Sequence, residues 1–298
     1  MMQVVVNTPT GNIGRLVTEK LLQAGCEPTL LARHPEKVRD FAARGATVLE
    51  GHLEDEAFVA RATRGAELLF WLTPPHPTAP SVRAFQNHLG RIAAAAVREH
   101  RIPRVVHLSS YGAHLESKTG PILGLRETEK MLDDAAHNVL HLRPGMFMEN
   151  HLGSIESMQQ VRKIFLPAAG GTRFPAVATR DVAAVAAERI LNTSWTGHQV
   201  LEIFGPAPVS FDEAARTISD ALGQPITHVQ VSREQATQVL TGKGMSGDFV
   251  NGFLELLESL ESGHLAPDPR APKRTMPTSF ADFARDVIAP LVRSGAPH

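Results

Sequence analysis

Six short apolar runs recur along the first half of the chain, at positions 3–6, 29–31, 47–49, 68–72, 105–108 and 139–142. Each is rich in Val and Leu and nearly continuous in its hydrophobicity, rather than alternating apolar with polar. Strands that are apolar on both faces must be covered on both faces, which is the condition of a parallel sheet. Between the runs the spacing becomes helical. Ile13, Leu16, Val17 and Leu21 share one face, the alanine-rich stretch 92–97 continues another, and 36–43 and 57–63 read as short helices. Repeated strand–helix units pack only with right-handed crossovers. The expected fold class is therefore α/β, a Rossmann-type doubly wound parallel sheet with a smaller C-terminal α/β substrate subdomain.

After Pro144 the beat changes. Residues 173–178 read as extended, and Thr179, Arg180 and Asp181 read as the capped start of a helix over 182–191, because short polar side chains satisfy orphan amides there. A strand at 199–203, a helix at 211–222 opened by Ser210, a strand at 226–231 and a helix at 249–260 follow. The Pro-rich stretch 266–277 is too long for a tight turn and is expected to cross a surface or a cleft mouth, before a last helix at 280–288. Residues 1–150 are expected to form the cofactor domain. Residues 151–298 form a smaller, mainly helical substrate-binding region, interleaved with the first rather than independent.

Composition bounds the function. The 298 residues carry 30 Lys+Arg against 31 Asp+Glu, so the chain lacks the basic bias of a nucleic-acid or anionic-membrane binder. No apolar run approaches the roughly 20 residues of a membrane helix, and the first residues show no basic leader. Cytoplasmic localisation and a small-molecule partner are expected. One cysteine, Cys26, excludes a disulfide framework and multi-cysteine metal sites. The 14 histidines show no H-E-x-x-H, and Pro144 and Gly145 break the spacing of His137, His141 and His151, so no metal site is expected. A G-x-S-x-G nucleophile elbow is also absent.

The segment from Val4 to Gly14, VVVNTPTGNIG, runs from a strand through a turn directly into an amphipathic helix. Such a junction aims backbone N–H groups and the positive helix end at one point, suited to a pyrophosphate. Gly11 lets a backbone approach phosphate, and Gly14 lets the helix lie close to the sheet. Thr8 stands where a first glycine is usual, so the turn forms without glycine's freedom, while Thr8 and Thr10 offer hydroxyl donors. At the end of the second run, selectivity for NAD requires an acid to accept from the ribose 2′-OH. Here Arg33 follows the run and Lys37 lies one turn on, so two cations converge where a 2′-phosphate would sit. NADP(H) is expected over NAD(H).

With these residues in place, the chain resembles the NmrA-like branch of the atypical short-chain dehydrogenase/reductases. The likeness runs through Thr8–Gly14, LARHPEK at 31–37, GHL at 51–53, LTPP at 72–75, LSSYGA at 108–113, ETEKML at 127–132 and, most specifically, LRPGMFMEN at 142–150. The resemblance implies a cofactor lying across the first-domain strands. Thr10, Gly11, Asn12 and Ile13 would take the pyrophosphate, Arg33 and Lys37 the 2′-phosphate, and His52 and Leu53 the adenine edge. Thr73 and Pro74 would lie by the nicotinamide ribose, with Pro144, Gly145, Met146 and Phe147 forming the wall beside the nicotinamide. His52 departs from a common aspartate.

The catalytic signature of this superfamily, Tyr-x-x-x-Lys, is missing: the only tyrosine, Tyr111, is followed four residues later by Leu115. Related reductases keep a lysine on the next helix, and Leu125 occupies that place with Arg126 beside it. Arg126 can hold an oxygen but is no acid at neutral pH. Tyr111, just past the fifth run, is the candidate proton donor or else a packing residue. His76, Ser110, Arg126, Met148 and Asn150 are the candidate substrate-pocket residues. Met146, Phe147 and Met148 supply a deformable apolar wall for a flat ligand. Two functions remain open. One is an NADPH-dependent reductase of a conjugated or aromatic carbonyl or quinone, whose reduced anion needs little acid help. The other is a non-catalytic NADP(H) sensor with a protein partner.

Overall fold

A computed structural model describes residues 2–295. The six apolar runs become strands β1 (Val4–Asn7), β2 (Thr29–Ala32), β3 (Thr47–Glu50), β4 (Leu68–Leu72), β5 (Arg104–Leu108) and β6 (Asn138–Pro144). Helices α1 (Asn12–Gln23), α2 (Arg39–Ala42), α3 (Glu56–Ala62), α4 (Val82–His100) and α5 (Ile122–Asp133) connect them. A short β7 (Met146–Phe147) then leads through a 3₁₀ segment, Met148–Ser154, into α6 (Ile155–Val161), β8 (Lys163–Leu166), β9 (Arg173–Phe174) and β10 (Ala176–Val177). The chain returns through α7 (Thr179–Leu191) and β11 (His198–Phe204) to the main sheet. It closes with β12 (Val209–Ser210), α8 (Phe211–Leu222), β13 (Thr227–Gln230), α9 (Arg233–Gly242), α10 (Gly247–Glu261), β14 (Lys273–Thr275), α11 (Phe280–Phe283) and α12 (Ala289–Ser294).

The main sheet has eight strands in the order β14-β11-β6-β5-β4-β1-β2-β3, and every neighbouring pair is parallel. Chain order reverses between β1 and β4, so their carboxyl ends open the crevice in which doubly wound sheets bind ligands. One face of the sheet packs Ile13, Val17 and Leu21 of α1 with Val182, Ala186 and Ile190 of α7. The other packs Leu89, Ala93 and Val97 of α4 over Leu69, Trp71 and Val105. A separate core unites α8, α10 and α11 around Phe211, Leu257 and Phe283. The division at residue 150 is crossed in both directions. Helix α7 and strand residues Leu201 and Ile203 belong to the sheet's own core, while Tyr111 and Ile122 belong to the C-terminal one.

Four local expectations are corrected. Helix α7 starts at Thr179 with no side-chain cap from its own first turn. Its leading amide is instead satisfied by Glu149, whose carboxylate accepts from Thr179 N at 3.0 Å and Thr179 Oγ1 at 2.6 Å. Asp181 turns away to accept from Thr278 N. The Pro-rich stretch is no mere crossing: Lys273–Thr275 pairs with Glu202–Phe204 as the edge of the main sheet. Helix α9 goes unannounced in the sequence because it buries only Ala236 fully, leaving almost no apolar stripe. The last helix is interrupted by a π-turn at Ala284–Ile288. Among the described residues no helix is long and apolar enough to cross a membrane.

Candidate active site

The crevice is set by Asn7, wholly buried at the end of β1. Its side chain donates to Leu72 O at 2.8 Å and accepts from Leu72 N at 2.9 Å, adding a side-chain rung to the ladder between β1 and β4. The main chain is thereby free to turn away at Thr8, which takes φ +51°. The missing glycine is thus replaced by a threonine held in the left-handed region, at a cost of about 1–2 kcal/mol. Thr8 O accepts from Gly11 N at 3.1 Å and closes the turn. A Cβ on Gly14 would stand 2.2 Å from Thr8 O, so the helix can approach only with glycine there. A Cβ on Gly11 would meet nothing closer than 3.6 Å, so the protein's own packing does not demand glycine at this exposed position.

Helix α1 opens at Gly11 with no side-chain cap and no acid in its first turn. Its leading amides and positive end are therefore uncompensated by protein. Thr8 Oγ1 and Thr73 Oγ1, at the ends of β1 and β4, are buried without a hydrogen-bond partner. Thr10 and Asn12 lie exposed at the same turn. Arg33 and Lys37 are exposed beyond β2, and neither side chain takes part in any of the ion pairs, whereas neighbouring His34 lies 3.5 Å from Glu36. Orphaned hydroxyls, an uncapped helix end and two free cations in one crevice fit a phosphorylated dinucleotide. Ile13 has only its backbone to offer at this turn, because its side chain is buried in the sheet core. His52 is exposed, while Leu53 leans on the α4 face of the sheet.

At the end of β6 the chain is locked in place. Gly145 N donates to Ile203 O at 3.0 Å, Met146 N to Pro175 O at 2.9 Å, and Pro144 O accepts from Tyr111 N at 3.0 Å. Alternation along β7 then sends Met146 toward the C-terminal core and Phe147 toward the sheet core. Beyond Met146 lies a cavity of about 480 Å³, walled by Asn150, His151 and Ser154 on one side and by Phe249, Phe253 and other apolar residues of α9 and α10 on the other. None of its lining side chains is charged at neutral pH. His151 is buried and its pKa is pushed down to about 4 by that burial, despite the bond between Nδ1 and Met148 O.

Of the expected pocket residues, Asn150 lines this cavity. The others do not, for identifiable reasons. Met148 is 1 % exposed and belongs to the core. His76 packs edge-on to Phe85 at 4.7 Å. Ser110 Oγ donates to Tyr111 O. Arg126 is drawn 2.6 Å from Glu116. Tyr111 is buried against Phe204, edge to face at 6.3 Å, and its hydroxyl has no hydrogen-bond partner. Burial, with the Glu202 carboxylate, raises its pKa further above the ordinary phenol value, so it stays protonated.

The sequence reasoning missed a buried ionic group under the carboxyl ends of β6 and β11. Arg143 donates to both Glu129 oxygens at 2.9 and 2.6 Å and lies 3.5 Å from Asp268. Glu202 Oε1 accepts from Asp268 N at 2.9 Å. Burial works to raise the Glu129 carboxyl, and the bonds and charges of Arg143 and His141 outweigh it, holding it below its ordinary value. Glu202, without such bonds to a cation, is raised by burial. An arginine inside an otherwise apolar strand was the available signal, since buried arginines are paired.

Comparison with known proteins agrees with this geometry. The chain is 27% identical over 282 residues to the NAD(P)H azoreductase of Xenophilus azovorans, covering 93% of this chain and 94% of that one. Its fold matches the NADPH complex of an NADPH-dependent quinone oxidoreductase from Escherichia coli with TM-score 0.81 at 22% identity, over 96% of this chain and 99% of the other. It also matches NmrA, a negative transcriptional regulator solved with NADP, with TM-score 0.73 at 15% identity, over 99% and 98% of the two chains. Residues 9–193 match the NAD(P)H-binding family. The chain belongs to that family.

Proposed function

We propose that the protein is an NADPH-dependent reductase of quinone-like or conjugated aromatic carbonyl acceptors. The observation that carries this reading is the apolar 480 Å³ cavity whose wall begins at Met146, directly beyond the end of β6. Thr8, Thr10, Gly11, Asn12 and the backbone of Ile13 hold the pyrophosphate, Arg33 and Lys37 the 2′-phosphate, and Thr73, Pro74 and the 144–147 wall the nicotinamide end. His52 and Leu53 border the adenine. Bound NADPH supplies the hydride. The protein's part is to orient a flat acceptor between Met146 and α10, to exclude water with Phe249 and Phe253, and to meet the acceptor's oxygen with Asn150. The reduced acceptor is a delocalised anion stable enough to leave the dry site and take its proton from bulk water, so the lost tyrosine–lysine pair is dispensable and Tyr111 serves packing. The azoreductase and quinone oxidoreductase named for the similar proteins support this acceptor class. The cytoplasm, where NADPH is supplied and a single buried cysteine stays reduced, is the compartment that suits it.

The test is NADPH oxidation, followed by absorbance, with a panel of naphthoquinones and aromatic carbonyls. Enzyme-dependent turnover is expected. Tight NADPH binding without turnover of any acceptor would refute the reductase and favour the sensor.

A further inference from the structure

The proposed reductase has a substrate site that, on the chemistry of its walls, discriminates by charge, and this inference rests on the reading just given. Among the cavity's lining residues there is no Lys, Arg, Asp or Glu. The one titratable group, His151, is buried, its Nδ1 is turned to Met148 O, and it remains neutral at physiological pH. The remaining polar groups, Asn150 and Ser154, sit on the side formed by the 3₁₀ segment, while α9, α10 and the turn between them present Leu240, Phe249, Phe253 and Met245. Lys163 and Lys243, close in the chain to lining residues, are exposed and are not among the residues that line the cavity, while Arg126, Arg173 and Arg143 are paired with Glu116, Glu213 and Glu129.

An ionised sulfonate, carboxylate or phosphate entering such a space loses its hydration and finds no cation to replace it. An uncharged ring system loses only apolar surface from water, and its one or two oxygens have Asn150 and Ser154 to face. We propose that the cavity selects uncharged, flat, conjugated acceptors and rejects anionic analogues of the same size and reactivity, with Asn150 and Ser154 fixing which edge of the acceptor bears the oxygen.

Three probes separate charge from bulk: 1,4-naphthoquinone, its 2-sulfonamide, which is uncharged, and its 2-sulfonate. Binding is measured calorimetrically with the protein saturated in NADP+, and turnover is measured with NADPH. The parent and the sulfonamide are expected to bind within about fivefold of each other, and the sulfonate at least about 50-fold more weakly, the scale set by an unpaired buried ion. Leu240→Lys places a cation on the wall and should narrow the ratio of parent to sulfonate binding at least about tenfold. Leu240→Gln, polar but neutral, should leave that ratio unchanged. A sulfonate that binds as well as the parent overturns the proposal, as does a narrowing produced equally by both variants. Charge-dependent binding without turnover of any probe would leave the selectivity standing and remove the reductase reading, so the two fail separately.

Discussion

Arg33→Ala is the perturbation that bears most directly on cofactor choice. Arg33 follows Ala32, the last residue of β2, and its guanidinium is exposed with no carboxylate partner. Lys37 lies at the 3₁₀ turn Pro35–Val38 on the same rim. A hydrogen bond to a charged group contributes about 1.5–3 kcal/mol. Solvent screening at an exposed site lowers this to about 1–2 kcal/mol. At 1.36 kcal/mol per factor of ten, the substitution should weaken NADPH about 5- to 30-fold. NADH lacks the 2′-phosphate and should change less than about twofold, because no other group of Arg33 supports the fold. Calorimetric titration of both cofactors against wild type, Arg33→Ala and Lys37→Ala gives the comparison. The gap should shrink at high salt, since the pair is exposed. Equal losses for NADPH and NADH, or no loss for either, would refute the assignment of these cations to the 2′-phosphate.

Three further outcomes follow from the buried groups. Asn7→Ala leaves Leu72 N–H and O without their side-chain partners and should cost about 2–4 kcal/mol in urea unfolding; a loss under about 1 kcal/mol would mean the rung is not structural. His151 has a folded pKa of about 4 against an unfolded value near 6.5, so the unfolded chain binds the extra proton first. Its contribution is complete above about pH 6.5 and is lost as pH falls through the window down to about 4, reaching roughly 2 kcal/mol at pH 5. His107, wholly buried and pushed down to about 3 by burial and by His141, acts with the same sign. Thermal melts should therefore fall from pH 7 to 5, with a shallower slope for His151→Gln; parallel slopes would contradict the assignment. Tyr111→Phe removes a hydroxyl that has no hydrogen-bond partner and should leave both the melting temperature and kcat for quinones nearly unchanged. A fall in kcat of a hundredfold would make Tyr111 the proton donor after all.

Local pattern carried much of the framework. The doubly covered runs announced the strands, and the Gly11–Gly14 spacing announced the loop and its helix. Ser210 announced the start of α8, where the structure adds a reciprocal capping box with Glu213. These features work through neighbours a few residues apart, so their spacing is visible in one dimension. The site was less legible. Glu149 caps a helix 30 residues away, and Arg143 finds Asp268 across the strap that leads into β14. Neither partner is marked by any local periodicity. Of the expected pocket residues, those that lie outside the cavity do so for a related reason. Arg126 and Ser110 have chemistry suited to a ligand, but closer protein partners had already taken them.

What the sequence determined by itself was the alternation of strand and helix, the glycine-bearing turn from β1 into α1 and the pair of cations after β2, because each follows from residue type at short spacing. Tertiary structure alone decided that Met146 and Asn150 would share a cavity with Phe249 and Phe253, about a hundred residues on, and that this cavity would hold no charge. A cavity's walls are set by which faces of α9 and α10 are left after their cores have packed. That choice depends on the energy of the whole assembly and leaves no periodic mark along the chain.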